Sequence, residues 1–182
     1  MRRWPTGGWL CLRAAAFEPR IQRVIASAIA YDYMRFPNLV AQQLGMLFFN
    51  HFRDFSDRVT LSKMKKDPMH AWSIGQMLYI TNTTLPMQGL DTIKQLSAAN
   101  LCSDRVTQDV LILTGRNDHF IPFKMHRQQV RALCNARSLT AEVFTRETQA
   151  HNHCQVGNIG LALKTMADWI DRLTDSSGAD GK

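Results

Sequence analysis

An α/β fold is predicted, built from three parallel strands with flanking helices and a helical cap insertion. Three observations predict it. Residues 23–31 and 109–114 are short runs with almost no polarity, which fits strands buried on both faces of a parallel sheet. Strand-like and helix-like segments alternate along the last third of the chain, as right-handed crossovers between parallel strands require. The long stretch between the two apolar runs shows no period of two and reads as helices. The expected division is therefore a core from residues 7–32 and 101–173, a helical cap from 33–100, and a disordered polar tail from 174–182.

Taken in order, residues 7–17 begin with Gly7 and Gly8 and turn alanine-rich. They predict a buried helix that Pro19 ends by restricting the residue before it. The strand at 23–31 comes next, with Asp32 just past its end. Residues 33–100 are dense in Met and aromatic side chains, and Pro37, Pro68 and Pro86 divide them into several helices. Their apolar side chains read first as helix-packing core and second as an adaptable lining for an apolar substrate. The strand at 109–114 is the clearest in the chain. Gly115 turns its end, and Pro122 suits the first turn of the next helix. His126, Val130 and Leu133 fall on one face of that helix. Residues 138–145 predict a less apolar strand nearer the sheet edge. A final helix after Gly157-Asn158 places Leu163, Met166, Ile170 and Leu173 on one face, with Trp169 adjacent.

Length and composition narrow the function. A chain of 182 residues suits one domain, and 45% hydrophobic with 20% charged content marks it as globular. The net charge is +7, but the basic residues are scattered apart from Lys63, Lys65 and Lys66. No zinc-finger, RNP-like or heptad pattern accompanies them, so a solvated basic face is expected and no nucleic-acid partner. Cys11, Cys102, Cys134 and Cys154 form no C-x-x-C pair and fit free thiols in a reducing compartment. No apolar run approaches the roughly 18 residues of a membrane span. Met1-Arg2-Arg3 begins like a twin-arginine signal, but Pro5, Gly7, Gly8 and Arg13 interrupt the apolar stretch that such a signal needs. A cytoplasmic protein with no membrane partner and no cofactor is the expectation.

Ligand sites on open parallel sheets lie beyond the C-terminal strand ends. Asp32, Asp118, His151 and His153 fall there. Asp118 comes four residues after a buried strand, where an Asp serves either a turn or a histidine. His151 and His153 come after the last strand, and an imidazole there is suited to proton transfer near neutral pH. The His-x-His-Cys spacing of His151, His153 and Cys154 also invites a metal, although no further ligand stands at motif spacing, so no metal is expected.

The succession from Gly115-x-x-Asp118 through Pro122, a helix, a strand and His153-Cys154-Gln155 to a terminal helix resembles the C-terminal part of an α/β-hydrolase. The likeness is to the bacterial branch of dienelactone hydrolases and prolyl-oligopeptidase-like esterases. It spans residue 7 to about 173 and is specific in the last third. In that fold the triad runs Ser, Asp, His. The resemblance implies Asp118 as the acid and His153 as the base, with His151 the runner-up. It implies ester or amide hydrolysis of a small acyl substrate. Gly7-Gly8 matches the end of the nucleophile motif Gly-x-Ser-x-Gly, so the serine position falls on Pro5 and the leading glycine on Arg3. Pro5 has no nucleophilic atom. The backbone N–H of Thr6 stands where part of an oxyanion hole would be. Ser27, Ser73 and Cys11 lie in a strand or in helices, not on a strand-to-helix elbow.

The expectation is an incomplete α/β-hydrolase fold, N-terminally truncated, without a nucleophile and inactive alone. The strand at 23–31 would then have a bare edge open to self-association. Two other readings remain: an interaction module that pairs through that edge, and a metal-dependent hydrolase at the His151/His153 loop.

Overall fold

The computed structural model describes residues 6–35 and 39–179. Two compact units emerge, one from residues 6–31 and 101–179 and one from residues 32–100. The first unit carries the sheet. Its strands β1 (Arg23–Ser27), β2 (Asp109–Gly115) and β3 (Ser138–Phe144) are all parallel and lie in that order. Arg23 pairs with Asp109 and Asp109 with Ser138, so all three strands start level. Three parallel strands flanked by helices is the fold class the sequence predicts.

The middle strand is the core. Every residue of β2 is buried, which its unbroken apolar run Val-Leu-Ile-Leu explains. Its one acid, Asp109, sits at the strand's start, where it pairs with Arg137 and accepts a hydrogen bond from Ser138 Oγ. On β3 only Phe144 is fully buried, in keeping with an edge position. Leu111 and Leu113 join Phe144, Ala150, Ala162 and Trp169 in one apolar cluster.

Helix α1 (Gly7–Ala15) buries Gly8, Trp9, Leu12 and Ala15, the i, i+4, i+7 spacing of one face, and packs on β1. Gly8 is required by that contact. A Cβ there would stand 2.9 Å from Ile29 Cγ1 and 3.0 Å from the Ser27 carbonyl oxygen. The carboxamide of Gln108 donates to the Ala15 carbonyl and ties the helix's far end to the start of β2.

Several expectations need correction. The first strand stops at Ser27 rather than 31, because Ala28 takes a left-handed φ of 54°. Its amide still donates to Leu113 O, so the chain leaves the ladder by a sharp bend. Burial on β1 alternates instead of covering both faces. Helix α7 (Phe123–Ala132) turns Met125, His126 and Gln129 inward, followed by Leu133, and leaves Val130 only half-buried. His126 is a core histidine: it bonds Thr114 Oγ1 at 2.9 Å, stacks on Phe123, and burial holds its pKa below the ordinary value.

On α8 (Ile159–Ala179) the inward stripe is Ala162, Met166, Trp169 and Leu173, while Leu163 and Ile170 face solvent. Trp169 decides this rotation, since its indole N–H also reaches Thr140 Oγ1. The same helix runs on through residues 174–179, where a disordered tail was expected. Adding residues to a formed helix costs far less than starting one, so a polar Asp-Ser-Ser sequence can continue it. Residues 180–182 lie outside the described residues.

The second unit is helical. The helices are α2 (Leu39–His51), α3 (Arg53–Lys66), α4 (Pro68–Thr81) and α5 (Pro86–Lys94), with the short α6 (Ala98–Leu101) at its end. Pro68 and Pro86 open helices at their first position, where the missing N–H costs nothing. The break expected at Pro37 lies outside the described residues. Asp67 caps α4 by accepting from the Met69 and His70 amides. The buried carboxylate of Asp57 on α3 accepts from the Met87 amide and fixes the start of α5. Asp32 is also occupied structurally, accepting from the Met34 and Ala98 amides. No helix among the described residues is long and apolar enough to cross a membrane.

Gly75 stands mid-α4 with nothing within 4 Å of where a Cβ would be. Gly75→Ala is therefore expected to stabilise the protein by about 0.5–1 kcal/mol through helix propensity. The readout is a higher urea midpoint at unchanged slope.

Candidate active site

Two loops beyond the C-terminal ends of β2 and β3 meet in the first unit. The first runs from Gly115 to Pro122. Its turn is set by the Asp118 amide bonding back to Gly115 O, and by Asp118 Oδ1 accepting from the amides of Phe120 and Ile121 at 2.8 and 3.0 Å. An Asp in that turn serves its own backbone and still has Oδ2 to offer. The second loop, from residue 145 to 158, is braced by Asn158, whose side chain donates to Thr148 O and accepts from the Leu161 amide. A backbone bond from Asn117 N to His151 O joins the two loops at 2.9 Å.

His153 Nδ1 lies 2.8 Å from Asp118 Oδ2. The side chains are 11% and 1% exposed respectively. Asp118 can only accept there, so Nδ1 carries a proton and Nε2 is the ring nitrogen that points away from Asp118. Phe120 walls the imidazole edge-on, with ring centroids 4.8 Å apart. Burial by itself disfavours the imidazolium, but the Asp118 hydrogen bond and charge, with the Cys154 sulfur adding to them, outweigh it and raise the His153 pKa to about 9. Burial likewise works against the Asp118 carboxylate, yet the His153 bond and the two backbone amides hold its pKa below the ordinary value.

The backbone beneath His153 is strained. Cys154 and Gln155 both take left-handed conformations, with φ of 51° and 53°. Two adjacent non-glycine residues there cost on the order of 1 kcal/mol each and need their surroundings to hold them. Gln155 provides the hold. It is 1% exposed, and its Oε1 accepts from Ser27 Oγ at 2.8 Å. Its Nε2 is a buried donor without a partner among the described residues. Ser27→Ala would leave the whole carboxamide unpaired, with an expected loss of about 1–3 kcal/mol by urea denaturation.

Of the residues singled out in the sequence, Asp118 and His153 come together. His151 contributes its carbonyl to Asn117 and buries an Nδ1 that has no partner among the described residues. Thr6 is the residue before α1, in helical conformation, and its carbonyl accepts from Leu10. Pro5 lies outside the described residues. Ser27 is committed to Gln155, and burial pushes the Cys11 thiol up to about 11, far from a reactive thiolate. Among the described residues no three His, Cys, Asp or Glu side chains gather as a metal site. The Gln155–Ser27 tie and the Phe120 wall have no signal in the sequence, since 128 positions separate the first pair.

No family profile and no curated protein sequence matches the chain. Among solved structures it is similar to the enol-lactonase from Burkholderia xenovorans LB400, at 17% identity and a TM-score of 0.44. The match takes in 93% of this chain and 63% of that enzyme's length. The described sheet has its parallel strands in sequential order, with the Asp118 loop after β2 and the His153 loop after β3.

Proposed function

We propose that Asp118 and His153 are the acid and base of a serine-type hydrolase site that acts on ester or amide bonds of small acyl substrates. The observation that supports this reading most is the 2.8 Å contact between His153 Nδ1 and Asp118 Oδ2. An aspartate so placed fixes the imidazole tautomer and stabilises the imidazolium that forms when Nε2 takes a nucleophile's proton. With Pro5 in the nucleophile's position by resemblance, this chain does not complete that reaction alone. Thr6 is assigned the oxyanion N–H on the same resemblance.

The pKa of about 9 adds a consequence. Near pH 7 about one ring in a hundred is neutral, so any general-base activity of His153 is expected to rise about tenfold per pH unit and level off near 9. An NMR titration of the His153 ring protons between pH 6 and 10 checks the protonation step that sets this rise. A ring that titrates near 6.5 would contradict it.

A fluorophosphonate probe tests the assignment itself. The full chain is expected to stay unlabelled. Labelling that His153→Ala abolishes would place a working nucleophile in this chain and overturn its inactivity. Labelling that survives His153→Ala would overturn the role of His153 as well.

A second reading is favoured by one feature: β1 pairs with β2 alone in the described sheet. Its other edge is available to a strand from a partner, which would make the chain an interaction module. A monomer that melts cooperatively across a wide concentration range would count against that reading.

A further inference from the structure

Helices α2 and α3 carry an apolar face that the fold leaves in solvent. Leu44, Leu47 and Phe48 succeed one another at i, i+3, i+4 on α2. Phe52, immediately before α3, continues the stripe to Phe55 and Val59 at i, i+3, i+7. All six are exposed, from 40% at Val59 to 61% at Leu44. The Phe48 ring joins the two stretches, with its centroid 5.2 Å from that of Phe52 and 6.0 Å from that of Phe55. Phe55 and Val59 then enter an open groove of about 450 Å³ whose other walls are Arg58, Ser62, Lys63 and Lys66. The acids of α3 do not neutralise these cations. Asp57 is spent on the Met87 amide, and no ion pair holds Arg58, Lys63, Lys65 or Lys66 among the described residues.

We propose that this face binds the surface of an anionic bilayer, with the Phe48–Phe52–Phe55 stripe in the acyl boundary and the Arg58, Lys63 and Lys66 groove on lipid phosphates. The order of chemistry along α3 carries the inference. An apolar aromatic stripe passes without interruption into a cationic groove, which complements an interface that is hydrocarbon on one side and phosphate on the other. A second copy of the chain fits less well. Self-association would bury the stripe but would leave the Lys63 and Lys66 groove without an anionic partner. Neither helix announces the surface in the sequence, because it exists only where Phe48 meets Phe52 and Phe55 across the turn.

Cosedimentation of the full chain with phosphatidylglycerol vesicles, against phosphatidylcholine vesicles, tests the proposal. Binding to the first and not the second is expected. The double variant Lys63→Ala, Lys66→Ala should bind about 30-fold more weakly, at about 1 kcal/mol for each lysine near the surface. Phe52→Ser, Phe55→Ser should bind at least about tenfold more weakly through lost apolar burial. Both phenylalanines are more than half exposed, and an unchanged far-ultraviolet circular dichroism spectrum confirms that each variant is folded. If the Phe variant misfolds, the Lys variant decides alone. No binding to phosphatidylglycerol, equal binding to phosphatidylcholine, or binding that survives a folded double variant overturns the proposal. So does concentration-dependent self-association that the Phe variant abolishes without any vesicle binding, which would assign the face to a second copy.

Discussion

Asp118→Asn is expected to bring the His153 pKa down from about 9 toward the ordinary histidine value. The carboxylate is what overcomes burial at this ring. An amide keeps the shape and removes the charge, so desolvation is then opposed mainly by the Cys154 sulfur. The carbon-bound ring protons of His153, tracked by NMR from pH 4 to 11, report this directly. A variant ring that still titrates near 9 would show that Asp118 does not control it.

The same shift makes stability depend on pH. The folded pKa of His153 lies above its unfolded value of 6.5, so its contribution is fully present below 6.5 and is lost as pH rises through about 9. The folded pKa of Asp118 is depressed, so its contribution is present above 3.8 and is lost as pH falls through the lowered value. The pair therefore stabilises fully between those two unfolded values and fades on the alkaline side. The rise from 6.5 to about 9 corresponds to about 3 kcal/mol. Urea midpoints of the wild type should fall between pH 7 and 10, and this fall should vanish in Asp118→Asn. An equal fall in both proteins would place the alkaline sensitivity elsewhere.

The strands and the helix sequence were legible because burial writes itself into composition. The continuous Val-Leu-Ile-Leu run of β2 has no alternative to a two-sided interior, and Gly115 marks where it must turn. Legibility fails where side chains of equal hydrophobicity compete. Leu163 and Ile170 predict the inward face of α8 as well as Trp169 does, and only the volume of the indole and its Thr140 partner break the tie. It also fails where backbone conformation departs from residue preference. Ala28, Cys154 and Gln155 adopt left-handed φ without the Gly or Asn that would announce it. Ala28 shortens β1, and the other two give the His loop its strained bend. Spacing alone leaves His151 and His153 equivalent, since both lie after β3 in the same loop. Which ring reaches Asp118 depends on where that loop turns, and residues as distant as Ser27 help to hold the turn.

Gly115→Ala is expected to destabilise the protein by about 3 kcal/mol and to loosen the Asp118–His153 pair at the same time. A Cβ at this position would stand no more than 2.5 Å from the carbonyl oxygens of both Asn152 and His151. Both are backbone atoms, so no side chain can rotate away, and overpacking against such atoms costs roughly 1–3 kcal/mol or more. Relief requires the 151–153 backbone to move off the end of β2. That displacement would stretch the Asn117–His151 bond that joins the loops and draw His153 from Asp118. The stability loss and the titration of His153 are thus coupled: the urea midpoint should drop and the His153 pKa should fall from about 9 toward 6.5 in one substitution. Gly75→Ala is the matched control, with an added methyl in open space and no effect expected on His153. A Gly115→Ala protein with unchanged midpoint would mean that β2 and the His loop are not in contact. One that is destabilised but keeps His153 near 9 would mean that the loop holds the pair without resting on Gly115.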